Sequence, residues 1–215
     1  MGKKGQVWLY LGLILVVVFL AIQTIADVKS EYKKDKKETS EIASSESQDA
    51  GISEEEWLAH FNKSIEELRV MYPDGKFWNH MDVGEESAES AGYTEIPCNH
   101  NENYNDYCNA YIGKSNDAYP YAVAGRQSVG FASMISDYIF GEEADAYSFT
   151  EFENVRVGDQ ARIDSDTHTV FIIEKTDEYI IVAEVNADGT CEINWDRKIE
   201  AGALKDALYI SRYEK

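Results

Sequence analysis

The spacing of hydrophobic and polar positions changes several times along this chain, and each change marks an element. Residues 7–22 are continuously apolar, Gly12 included, and Gln23 and Thr24 separate them from Ile25 and Ala26. At 1.5 Å per residue, a helix over 7–26 is about 30 Å long, one hydrocarbon core. Residues 1–26 are therefore predicted to form a signal-anchor or transmembrane segment. Small residues ending at Ala26 also suit a secretory signal cleaved after that position. From 27 to 51 the sequence is mostly Lys, Glu, Ser and Thr. Such a stretch buries too little surface to offset the entropy of ordering its backbone, so it reads as a charged flexible tether.

Residues 52–215 read as one folded domain. Ser53 with Glu56 three positions on has the form of a capping box, and Trp57, Leu58, Phe61, Ile65 and Leu68 follow at helical spacing. Pro73 disfavours helical geometry at Tyr72, so this helix should end near Met71, with a turn over Tyr72-Pro73-Asp74-Gly75. From 76 to 125 no period is sustained; the segment reads as a long aromatic-rich loop, with Trp78 assigned to the core. A second helix is predicted over 127–140, where Phe131, Ala132, Ile135, Tyr138 and Ile139 form one stripe and Gly141 is the stop. After it the period becomes two, in runs at 155–163, 169–174, 179–185, 191–195 and 207–213. The expected plan is α+β: a helix packed on an antiparallel sheet of about five strands, with a further helix N-terminal to it.

Charge narrows the function. The 215 residues include 40 Asp and Glu against 20 Lys and Arg, a net charge of −20. Phosphate backbones are bound by clustered cations, so no nucleic-acid partner is expected. Two lysines precede the apolar span and the whole acidic excess follows it, which places the domain outside the cell in this reading. There Cys98 and Cys108, which close a short loop, would form a disulfide. The competing use of that region is a metal site from Cys98, His100, Cys108 and His80, but no zinc-finger spacing is present, so neither metal nor cofactor is expected. Cys191 reads as a small buried hydrophobe.

The chemistry concentrates in the second half. Ser128 stands at the start of the predicted 127–140 helix, His168 opens a strand, and Glu184 and Asn186 lie two apart in the next. The spacing of two puts Glu184 and Asn186 on one sheet face, and a hairpin lets that face carry His168 too. A nucleophile, a base and a group orienting the base would then converge. Each residue also has a plainer use: Ser128 as a helix N-cap, His168 as a core histidine, Glu184 and Asn186 as outward polar positions. A serine elbow is excluded, because Gly125 precedes Ser128 by three positions rather than two.

The run Gly125-Arg126-Gln127-Ser128-Val129-Gly130-Phe131-Ala132 resembles the nucleophile helix of the CHAP amidohydrolase/peptidases, relatives of the NlpC/P60 and papain-like enzymes. Gly158-Asp159, His168 before an apolar strand, and Glu184-Val185-Asn186 follow in the order of that family, and Tyr72 to His80 is similar to a segment found upstream of it in secreted Gram-positive proteins. The resemblance implies a papain-like fold acting on amide bonds of peptidoglycan. It implies Ser128 at the nucleophile position, His168 as base, and Asn186 with Glu184 orienting it. Gln127 and the N–H groups of the helix start would be the oxyanion donors.

This chain departs from the family at its centre, since the family nucleophile is a cysteine. A helix N-terminus and an imidazolium lower a thiol from ~8.5 to ~3.5–7.5, whereas a hydroxyl starts near the ~15.7 of water and stays protonated. The implied protein is a pseudoenzyme, or a form with serine in place of cysteine. It would bind peptidoglycan peptides or an envelope protein while anchored through residues 7–26. The alternative is an acidic extracellular adaptor with no substrate.

Overall fold

The computed structural model describes residues 53–81, 92–98, 107–165 and 167–214. The expected span at 7–26, the tether at 27–51 and His100 lie outside these residues. Residues 54–215 form a compact unit. Among the described residues no helix is long and apolar enough to cross a membrane.

Among the described residues two α-helices, α1 (Glu54–Met71) and α2 (Gln127–Phe140), precede the strands. These are β1 (Tyr147–Phe149), β2 (Gln160–Ile163), β3 (His168–Lys175), β4 (Tyr179–Val185), β5 (Ile193–Glu200) and β6 (Leu208–Ser211). They form one antiparallel sheet in the order β1-β6-β2-β3-β4-β5. The α+β plan is thus present with six strands rather than about five. β1 is the addition, and three residues are too few to register as a period in sequence.

One face of the sheet packs Phe171, Ala183, Val185, Ile193 and Trp195 against Phe61, Ile65 and Leu68 of α1 and Phe131 and Ile135 of α2. Burial of each large side chain contributes about 1.5–3 kcal/mol. The other face buries Val170, Ile172, Ile180, Val182 and Tyr209 beneath Val155, Leu204 and Ala207. With both faces covered, β3 and β4 read as nearly continuous apolar runs.

Trp78 is fully buried as expected, with its ring centroid 5.5 Å from that of Phe131. Trp195 ties the Tyr72–Gly75 turn to the sheet: its backbone N–H donates to Asp74 Oδ1 at 3.0 Å and its indole N–H to the Tyr72 carbonyl at 2.8 Å.

Three expectations are corrected. Leu58 is 44% exposed, because the helix stripe is carried by Phe61, Ser64, Ile65 and Leu68. The run at 155–163 is a strand only from Gln160; Val155 enters the core from a turn in which Gly158 takes φ +92°. The run at 191–195 begins its strand at Ile193 and continues to Glu200, with Cys191 at φ 63° in the preceding turn.

Close backbone approach fixes the start of α2. The Tyr111 N–H donates to the Gly125 carbonyl at 2.6 Å, and the Gln127 N–H donates to the Asn109 carbonyl at 3.1 Å. A Cβ on Gly130 would lie 2.3 Å from the Gly125 carbonyl oxygen and 2.9 Å from the Tyr111 nitrogen. The Gly125-x4-Gly130 spacing therefore lets the 109–111 strip lie against the helix mouth.

Candidate functional site

Ser128 lies in the first turn of α2, where free backbone N–H groups and the helix dipole favour negative charge. It is not the N-cap; Arg126 occupies that position. The Ser128 hydroxyl oxygen accepts a hydrogen bond from the Thr169 N–H at 3.3 Å, so α2 is docked beside the first residues of β3. Both Ser128 and the neighbouring His168 are buried.

His168 Nε2 lies 2.7 Å from Glu184 Oε2. A carboxylate offers only acceptors, so the ring donates from Nε2 to Glu184. The same Glu184 oxygen accepts from Arg197 Nη1 at 2.8 Å. Glu184 has a side chain only 1% exposed, and such burial of a charge requires partners of this kind. Arg197 was not anticipated. Its signal in the sequence is a cation in the same alternating phase as Ile193, Trp195 and Ile199, where an apolar residue is expected.

The structure thus pairs His168 with Glu184 and seats Ser128 against the backbone of Thr169, the residue after His168; no hydrogen bond joins Ser128 to His168. Asn186 goes elsewhere. Its Nδ2 donates to Gln127 Oε1 at 2.8 Å, and its Oδ1 accepts from the Cys191 N–H at 3.0 Å. Asn186 does not share the Glu184 face, because β4 ends at Val185 and Asn186 takes φ 66°, out of the strand's alternation. Gln127 is likewise engaged away from the proposed oxyanion role, donating from Nε2 to Cys108 Sγ at 3.6 Å.

Cys98 and Cys108 are free thiols with sulfurs 3.7 Å apart, not the expected disulfide. A third sulfur joins them: Cys191 Sγ lies 3.4 Å from Cys108 Sγ, and all three thiols are buried together. Crowding against Cys108 and burial push the Cys98 thiol up to about 12, and the Cys191 thiol is raised further by the same causes. His80 is buried too, with Nδ1 3.0 Å from Asn109 Oδ1.

Asp159 stands at the turn into β2. Its Oδ2 accepts from the Arg156 N–H at 2.8 Å, while Oδ1 has no hydrogen-bond partner among the described residues. Burial raises its carboxyl from 3.8 to about 6.

No family model, curated protein or solved structure matches this chain.

Proposed function

We propose that residues 54–215 are a papain-like domain of the CHAP type, held at the outer face of a cell membrane, that binds peptide or amide segments of peptidoglycan and turns them over poorly. The supporting observation is the arrangement of Ser128, His168 and Glu184. A hydroxyl sits at a helix N-terminus against the strand that carries an imidazole, and a carboxylate holds the Nε2 of that ring.

In a competent site of this kind, the nucleophile gives its proton to the near ring nitrogen. Here the Ser128 oxygen accepts from the Thr169 N–H and has no hydrogen bond to His168. A thiol at that position would need no such contact at the moment of attack, because the helix N-terminus and a protonated His168 would keep it ionised. Serine retains the shape and polarity of the site without the pre-ionised nucleophile.

The test uses the full chain, its Ser128→Cys variant, and the double variant Ser128→Cys/His168→Ala, each incubated with purified peptidoglycan. The expected results are co-sedimentation of the parent chain with little release of muropeptides, cleavage by the Ser128→Cys form, and loss of that cleavage in the double variant. No sedimentation and no cleavage by any form would overturn the proposal and leave the acidic adaptor as the reading.

A further inference from the structure

Cys98 and Cys108 lie close in sequence and Cys191 is far from both, yet the three sulfurs all lie within 4.8 Å of one another. Two of the separations are 3.7 and 3.4 Å. Sulfurs bound to one zinc ion at about 2.3 Å, at tetrahedral angles, lie about 3.8 Å apart. The three thiols already sit close to the edges of such a tetrahedron. Their burial also suits the purpose, because a soft cation loses less to desolvation among thiolates than a hard one does.

The surroundings are built for thiolates rather than for an apolar trio. Asn79 Nδ2 donates to Cys98 Sγ at 3.3 Å, and Gln127 Nε2 donates to Cys108 Sγ. N–H groups aimed at sulfur stabilise the metal-bound thiolate and orient it. Each donor is itself fixed. Asn79 Oδ1 accepts from Thr94 Oγ1 at 2.6 Å, and Gln127 Oε1 accepts from Asn186, whose own oxygen receives the Cys191 N–H. Gln127, Asn186 and Cys191 are all at positive φ, of 51°, 66° and 63°. That conformation is costly for non-glycine residues, and here it serves to bring the Cys191 turn and the start of α2 to the same sulfurs.

We infer that Cys98, Cys108 and Cys191 form a thiolate site for a thiophilic divalent cation of the zinc type, which pins the 92–98, 107–111 and 186–191 segments to the start of α2. Loading is a ligand exchange without redox change: the hydrated cation releases bound waters as it gains three S–metal bonds, and three S–H bonds release their protons to solvent. The site is separate from Ser128, His168 and Glu184, and it stands whether or not those residues act on peptidoglycan.

The experiment takes the full chain, reduced and freed of metal by a chelator. Zinc content is measured after dialysis against Zn²⁺, and Co²⁺ is added separately as a spectroscopic probe. The result expected is one zinc per chain and a thiolate-to-cobalt charge-transfer band in the near ultraviolet. All three thiols should become unreactive to a thiol reagent on loading and reactive again on chelation. Cys191→Ser should abolish the band at equal protein concentration, and Asn79→Ala, which leaves every sulfur in place, should weaken zinc binding by ~10–100-fold. No stoichiometric zinc and no cobalt band in the reduced parent chain would overturn the inference. So would a Cys–Cys disulfide that persists in the isolated protein and leaves one reactive thiol.

Discussion

A single buried carboxylate carries the clearest pH dependence of the molecule. Asp159 is fully buried, and desolvation raises its carboxyl from 3.8 to about 6. The folded chain therefore holds this proton more tightly than the unfolded chain does. That contribution to stability is complete below the unfolded value and is lost as pH rises through about 6. By linkage it amounts to about 3 kcal/mol at most. Asp159→Asn keeps an acceptor for the Arg156 N–H and removes the titration. Urea denaturation midpoints across this range are expected to fall with rising pH for the parent chain and to stay level for the variant. At the same scale, Asn186 marks where reading from sequence stops. Its identity and position suggested a partner for His168, and one backbone angle, φ 66°, sends it to Gln127 and Cys191 instead. Alternation is a property of extended backbone, and Asn, which enters the left-handed region more readily than most residues, is a type at which extension can end.

Elements were more legible than contacts. The stripe of α2 and the β-branched runs of β3 and β4 are long enough for their period to register, and both lie where the spacing put them. Segment 76–125 carried no period, so nothing in it foretold that 109–111 would lie against the mouth of α2 or that Cys98 and Cys108 would meet Cys191. Such encounters are set by tertiary closure and by strained turns, which leave no repeat in sequence. The glycines at 125 and 130 are the exception, since their spacing serves that closure directly. Gly130→Ala places a methyl against backbone atoms that cannot move aside. It is expected to cost about 1–3 kcal/mol, read as a lower midpoint in chemical denaturation. A variant as stable as the parent would contradict the close approach of Tyr111 to the helix.

For the molecule as a whole, one buried ion pair joins Arg212, the residue after β6, to α2. The Arg212 guanidinium pairs with Asp137, donates to the carbonyls of Ala144 at 2.9 Å and Gly141 at 2.7 Å, and so satisfies the C-terminal end of α2. Tyr111 adds a hydroxyl donor to the other Asp137 oxygen at 2.9 Å. Arg212→Met removes the cation and strands a buried carboxylate, at a cost of about 3–5 kcal/mol. Thermal unfolding should show it as a large drop in Tm, and a small change would mean that Asp137 finds water or another donor.

The environment at position 128 decides whether the proposed site exists, and its most direct measurement is the pH profile of alkylation of the thiol introduced by Ser128→Cys. The three native thiols are buried and those of Cys98 and Cys191 are raised, so the introduced one should dominate the reaction at low pH. If the helix mouth and His168 act on it, the profile will show an ionisation within ~3.5–7.5 that moves upward when His168→Ala is added. An ionisation near the ~8.5 of a free thiol, indifferent to His168, would contradict the proposed site.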